Sequence, residues 1–73
     1  MVEFTKVSNK KVVIALEDVK EFEIATDEVT IVRTQDSEHA LRISYDDFRE
    51  LYESVTRKTI INASADRLHL SKG

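Results

Sequence analysis

Two histidines, His39 and His69, are the side chains that ordinarily titrate nearest neutral pH in this chain, so they are the first candidates for acid–base or nucleophilic work. Neither has a hydroxyl or carboxylate partner in a pattern that would activate a nucleophile. His39 begins a predicted strand and His69 alternates with Leu68 and Leu70, which reads as solvent-facing or edge placement. Structural zinc sites in chains of this size pair their ligands two to four residues apart, and these histidines are not paired in that way. The helix carboxylates Asp46, Asp47, Glu50 and Glu53 could be drawn as an acid/base pair, but they occupy the polar stripe opposite Phe48 and Leu51 and read as a solvated face. Glycine occurs only at position 73, which excludes phosphate cradles built on close backbone approach. Cysteine is absent, which removes disulfides and thiolate chemistry. The expectation is therefore a protein with no catalytic, metal-binding or cofactor-binding residues: not an enzyme.

Charge offers more. The formal net charge is −3, from 11 Lys and Arg against 14 Asp and Glu, and it is segregated along the chain. Glu17, Asp18, Glu21, Glu23, Asp27 and Glu28 face only Lys20 within their segment, while Lys6, Lys10 and Lys11 near one end and Arg57, Lys58, Arg67 and Lys72 near the other are basic. An acidic stretch of this kind suits docking to a basic protein partner. Nucleic acid is the alternative ligand, through Lys10, Lys11, Arg57 and Lys58, although the overall pI near 5.3 opposes it.

The elements that would position these groups follow from hydrophobic rhythm, which changes at Ser44. Before it apolar residues recur with period two; after it Tyr45, Phe48, Leu51, Tyr52 and Val55 recur at helical spacing. Val2 to Val7 and Lys11 to Leu16 form a predicted hairpin, with Asn9 able to take the positive φ of its turn. The unbroken apolar run from Val12 to Leu16 predicts a central strand buried on both faces. Further strands are expected at Lys20 to Ala25, Val29 to Thr34 and His39 to Ile43, with turns at Thr26-Asp27-Glu28 and Gln35 to Glu38. Ser44 caps a helix from about Tyr45 to Arg57, with Asp47 reaching back in a capping box, Asp46 and Asp47 at the positive end of the dipole and Arg57 and Lys58 at the negative end. Lys58 to Asn62 and Arg67 to Ser71 are two last predicted strands.

This is a single α+β domain over residues 1–73: a small antiparallel, meander-like sheet of five to seven strands with one amphipathic helix on one face. At 41% hydrophobic and 34% charged residues the chain has the composition of a folded protein. Its core is expected to place Phe48 and Leu51 against Val12, Ile14, Phe22 and Ile31. The longest apolar run is far short of the ~20 residues that cross a bilayer. With an N-terminus that lacks the pattern of a signal peptide, a cytoplasmic location and no membrane contact are expected. Val13 and Ala15 point away from the helix-covered side, so a homodimer through that face or through an open edge is a further expectation.

Residues 1–56 resemble the small flagellar FlbD/SwrD family of bacterial motility proteins. The likeness is carried by MVEFTKVSNKKVVIALEDVKEFEIATDEVTIV, with its hairpin, acidic break and strand pair in that order, and by HALRISYDDFRELYESV as last strand and closing helix. The family's first glycine turn is Asn9-Lys10 here, its proline is Thr26, and its second glycine turn is replaced by Gln35 to Glu38. The resemblance implies a non-enzymatic regulator acting through another protein, with no catalytic residues to carry over. The run from VVIALEDVKEFEI to RKTIIN is also similar to LytTR-type DNA-binding domains, which implies the nucleic-acid alternative. Together these readings predict a small bacterial or phage regulatory protein that binds another protein through the acidic segment 17–28.

Overall fold

A computed structural model describes residues 1–61. Strands β1 (Val2–Thr5) and β2 (Lys11–Ile14) form an antiparallel hairpin in which Val2 lies opposite Ile14 and Phe4 opposite Val12. Asn9 takes the left-handed conformation at φ 72°, as its short amide side chain allows, and the turn is closed by Lys6 N–H donating to the Lys10 carbonyl at 2.7 Å. The period of two then puts Val2, Phe4, Val12 and Ile14 on one face, and Glu3, Thr5, Lys11 and Val13 on the other.

The apolar run after Lys11 is not a central strand. It splits: β2 ends at Ile14, and Leu16–Asp18 turn as a 3-10 helix, with Asp18 N–H donating to the Ala15 carbonyl at 2.9 Å. The turn swings Leu16 wholly into the core, while Val13 remains 56% exposed on the outer side of a two-stranded sheet. Five apolar residues in a row reflect a change of element here rather than a strand covered on both sides.

Strands β3 (Val19–Thr26), β4 (Val29–Thr34) and β5 (Glu38–Leu41) make a second antiparallel sheet in that order. Register places Phe22 opposite Val32, and Val32 opposite His39, on the inner face. Ile31, expected in the core, belongs to the outer face opposite Glu23 and Ala40, and Val32 is the fully buried residue in its place. The strand has the expected bounds, Val29–Thr34, but its alternation alone does not say which set faces inward; the pairing of Phe22 with Val32 decides it. Thr30 is also fully buried, and its Oγ1 donates to the Ile43 carbonyl at 2.8 Å, which satisfies the hydroxyl.

The two sheets meet at a short seam. Lys6 bridges Leu41, Val7 N–H donates to Ala40 O at 3.0 Å, and Arg42 N–H donates to Thr5 O at 2.8 Å. The succession β2-β1-β5-β4-β3 is thus divided into sheets of two and three strands, instead of one sheet of five to seven. The strand expected from Lys58 to Asn62 is absent over 58–61, which carry no regular secondary structure, and Asn62 and the strand expected at 67–71 lie outside the described residues.

Helix α1 (Tyr45–Thr56) closes the α+β fold. Ser44 is its N-cap, with Oγ accepting from Asp47 N–H at 3.2 Å. It ends one residue before the expected boundary, where Arg57 turns left-handed at φ 60°, so Arg57 and Lys58 follow the last turn rather than belonging to it. Phe48 is fully buried between the two sheets, its ring 5.6 Å from Phe4 and 4.8 Å from Phe22. Phe22 also meets Tyr45 at 5.4 Å and Tyr52 at 5.6 Å, so the 45, 48, 52 stripe of the helix is one aromatic surface. Truncating a buried phenylalanine costs about 3–5 kcal/mol, as much as a core of this size supplies. Phe48→Ala is therefore expected to be largely unfolded at room temperature by circular dichroism; a cooperative melt within a few degrees of wild type would remove the ring from this central role.

Candidate functional site

The acidic segment maps onto one continuous structural feature, the strand β3 and the turns at its two ends. Glu17 and Asp18 sit in the 3-10 helix before it, Glu21 and Glu23 on the strand, and Asp27 and Glu28 in the two-residue turn to β4; all six are exposed. Thr26 Oγ1 accepts from Glu28 N–H at 3.3 Å, the local bond that a threonine before a tight turn can make. Eight strand residues extend roughly 26 Å, so the end carboxylates are well beyond a Debye length of one another and do not form a single point of charge. Among the described residues β3 pairs only with β4, which leaves its other side as the edge of the three-stranded sheet.

The two middle carboxylates do not stand alone. Alternation turns Glu21 and Glu23 to the outer face, where cross-strand register brings Arg33 beside them. Arg33 Nη1 lies 2.7 Å from Glu21 and 2.8 Å from Glu23, and its Nε lies 2.7 Å from Glu38 on β5. One guanidinium thus ties all three strands of the sheet, a fork-shaped donor set that a lysine could not reproduce. The hydrogen bond to Glu23 holds the Arg33 guanidinium above its ordinary range; partial desolvation opposes it, and the charges of Glu23, Glu38 and Glu21 reinforce it. Three carboxylates against one cation leave the outer face of the sheet negative.

The inner side of the same edge is apolar. Ile24 is 61% exposed although it lies on the face of Phe22 and Thr30, because the helix covers Phe22 but leaves the end of the edge strand open. A shallow notch of about 150 Å³ there is lined by Ile24, Thr26, Asp27, Ser44, Tyr45 and Asp46. The strand therefore offers charge on one side and an apolar step on the other, a combination visible in the sequence only as Glu-Phe-Glu-Ile.

Among the described residues, Lys10 and Lys11 belong to a different element from Arg57 and Lys58. Lys10 and Lys11 lie in the β1–β2 hairpin, where Lys11 Nζ donates to Thr5 Oγ1 at 2.8 Å; the same Thr5, through its carbonyl, holds Arg42 just before the helix begins. Arg57 and Lys58 follow the other end of that helix, which is about 18 Å long. His39 is half-buried on the inner face of β5 instead of turned to solvent, and its Nδ1 is buried without a hydrogen-bond partner. It borders a shallow groove of about 370 Å³ shared with Asp18 and Thr34. His69 lies outside the described residues. Among the described residues no group of three or more His, Asp or Glu side chains could hold a metal ion, and no helix is long and apolar enough to cross a membrane.

Glu53, expected on a solvated helix face, is instead half-buried and partnered at the helix end. Glu53 Oε2 accepts from Ile60 N–H at 2.7 Å while Arg49 Nη2 donates to the Ile60 carbonyl at 2.8 Å, so two side chains satisfy both backbone groups of Ile60 and bend the chain back along α1. An i, i+4 Arg-Glu pair reads as an ordinary surface salt bridge, and at 4.0 Å the direct contact is weak. Its partners are the backbone groups of Ile60.

No protein-family model, curated protein or solved structure matches this chain, so the resemblance to the FlbD/SwrD and LytTR-type families rests on the residues quoted above.

The Arg33 cluster makes a prediction of its own. Arg33→Met removes the cation shared by three carboxylates on adjacent strands, so its melting temperature is expected to fall below wild type at ~20 mM salt and to approach it as salt rises toward ~1 M. Thermal melts across that range check this; a gap independent of salt would mean that packing of the arginine stem, not charge, is what the residue contributes.

Proposed function

We propose that this chain is a small, non-enzymatic regulatory protein that acts by binding another protein, and that the acidic segment from Glu17 to Glu28 is the contact. The observation that carries this reading is the placement of all six carboxylates in exposed positions on and around an edge strand. Charge in such a position speeds encounter with a basic partner and selects against acidic ones. The separation of Lys10 and Lys11 from Arg57 and Lys58 gives nucleic acid no comparable surface among the described residues, and protein is the preferred ligand for that reason. Association by surface charge fits a regulator whose complex forms and dissociates readily.

The experiment compares tagged wild type with a variant carrying Glu17→Gln, Asp18→Asn, Asp27→Asn and Glu28→Gln, changes that leave the Arg33 cluster intact. The proteins recovered with wild type from the native host are expected to be released by moderate salt and to be lost with the variant, while the melting temperatures of the two stay close. Recovery of the same proteins by the variant would overturn the assignment of the contact. Micromolar binding of mixed DNA or RNA by anisotropy at ~50 mM salt would overturn the preference for protein.

A further inference from the structure

The protein-binding reading does not say how a partner would sit on β3, but the geometry of the strand does. Register shifts lie between Val19 and Glu21 and between Ile24 and Thr26, and the stretch between them, Glu21 to Ile24, pairs regularly with Arg33 to Thr30. Among the described residues its other side has no strand partner, a short, regular backbone edge that is a template for one more strand. We infer that this edge receives an extended segment of a partner protein as an added antiparallel strand, and that the segment alternates basic and apolar residues.

The alternation follows from pairing. Residues directly opposite one another in an antiparallel ladder point to the same face. An added strand therefore sets every second side chain beside Glu21 and Glu23 on the outer face, where Arg33 already neutralises part of the charge and a further cation is favoured. The intervening side chains fall on the inner face, against exposed Ile24 and the notch shared with Tyr45. Main-chain hydrogen bonds would supply affinity and the two-sided environment would supply selectivity. A second copy of this chain is a poor occupant, because antiparallel pairing of β3 with itself sets glutamates against glutamates.

The inference rests on the protein-binding reading, and the test separates the two. The probe is an end-blocked peptide of about eight residues alternating lysine and valine, with two controls: the same residues arranged in blocks, and a glutamate–valine version. By NMR titration the alternating peptide is expected to bind at least about tenfold more tightly than either control, and the β3 amides between Glu21 and Ile24 that point away from β4 are expected to gain hydrogen-exchange protection by at least about tenfold. Ile24→Lys, at a side chain already exposed, is expected to weaken binding severalfold with little change in the melting temperature. Binding that shifts the acidic residues without protecting those amides would overturn strand addition and leave the charged contact standing. Absence of binding at ~1 mM, or equal binding of the block peptide, would overturn it as well. Protection of the same amides in the peptide-free protein, whether constant or rising with protein concentration, would assign the edge to the chain itself or to a second copy and overturn it too.

Discussion

The ring of Phe48, held between Phe4 and Phe22, is the contact on which the rest of the molecule depends. Neither a two-stranded nor a three-stranded sheet of this length has a core of its own, and the hydrogen-bonded seam between them is only a few bonds long. Phe4 comes from one sheet, Phe22 from the other and Phe48 from the helix, at centroid separations of 5.6 and 4.8 Å. Aromatic pairs at such distances contribute about 0.5–1.5 kcal/mol beyond the area they bury. That increment matters because, among the described residues, few side chains besides Phe48 are fully buried: Leu16, Val32, Leu41 and Thr30.

A single helix can dry only one side of the sheets, and this constraint explains the other face. The outer surface of the three-stranded sheet is organised by charge: Arg33 spans β3, β4 and β5 through carboxylates one strand away on either side. Exposed ion pairs are individually weak, but a shared guanidinium in fork geometry also constrains which strands can be neighbours and in what register. Two of the same carboxylates, Glu21 and Glu23, line the strand that is an edge of this sheet among the described residues. Their structural role and the proposed role in recognition therefore draw on one property, a negative outer face next to an open backbone edge.

At the far end of the helix, side chains replace secondary structure. Arg49 and Glu53 hold the backbone of Ile60 in the manner of a strand partner, after Arg57 has turned the chain through a left-handed residue. The segment 58–61 is thus fixed by the side chains of Thr56, Arg49 and Glu53 and not by a ladder, so the apolar residues Ile60 and Ile61 form no strand.

Local periodicity and capping chemistry were enough to read from the sequence the α+β class, the hairpin with its positive-φ Asn9, the Thr26–Val29 turn and the helix capped by Ser44, because each is decided by residues within a few positions of one another. The acidic run was equally legible as composition. What needed the tertiary structure was every statement about which side of an element is covered: that the run from Val12 to Leu16 divides into a strand and a 3-10 turn that buries Leu16, that Val32 and not Ile31 faces the helix, that five strands form two sheets, and that Glu21 and Glu23 share Arg33 with Glu38. Those outcomes depend on register between segments distant in the chain, where a shift of one residue exchanges inner and outer faces at no cost in local propensity. Hydrophobic rhythm marks where a strand lies; only its partners decide which way it looks.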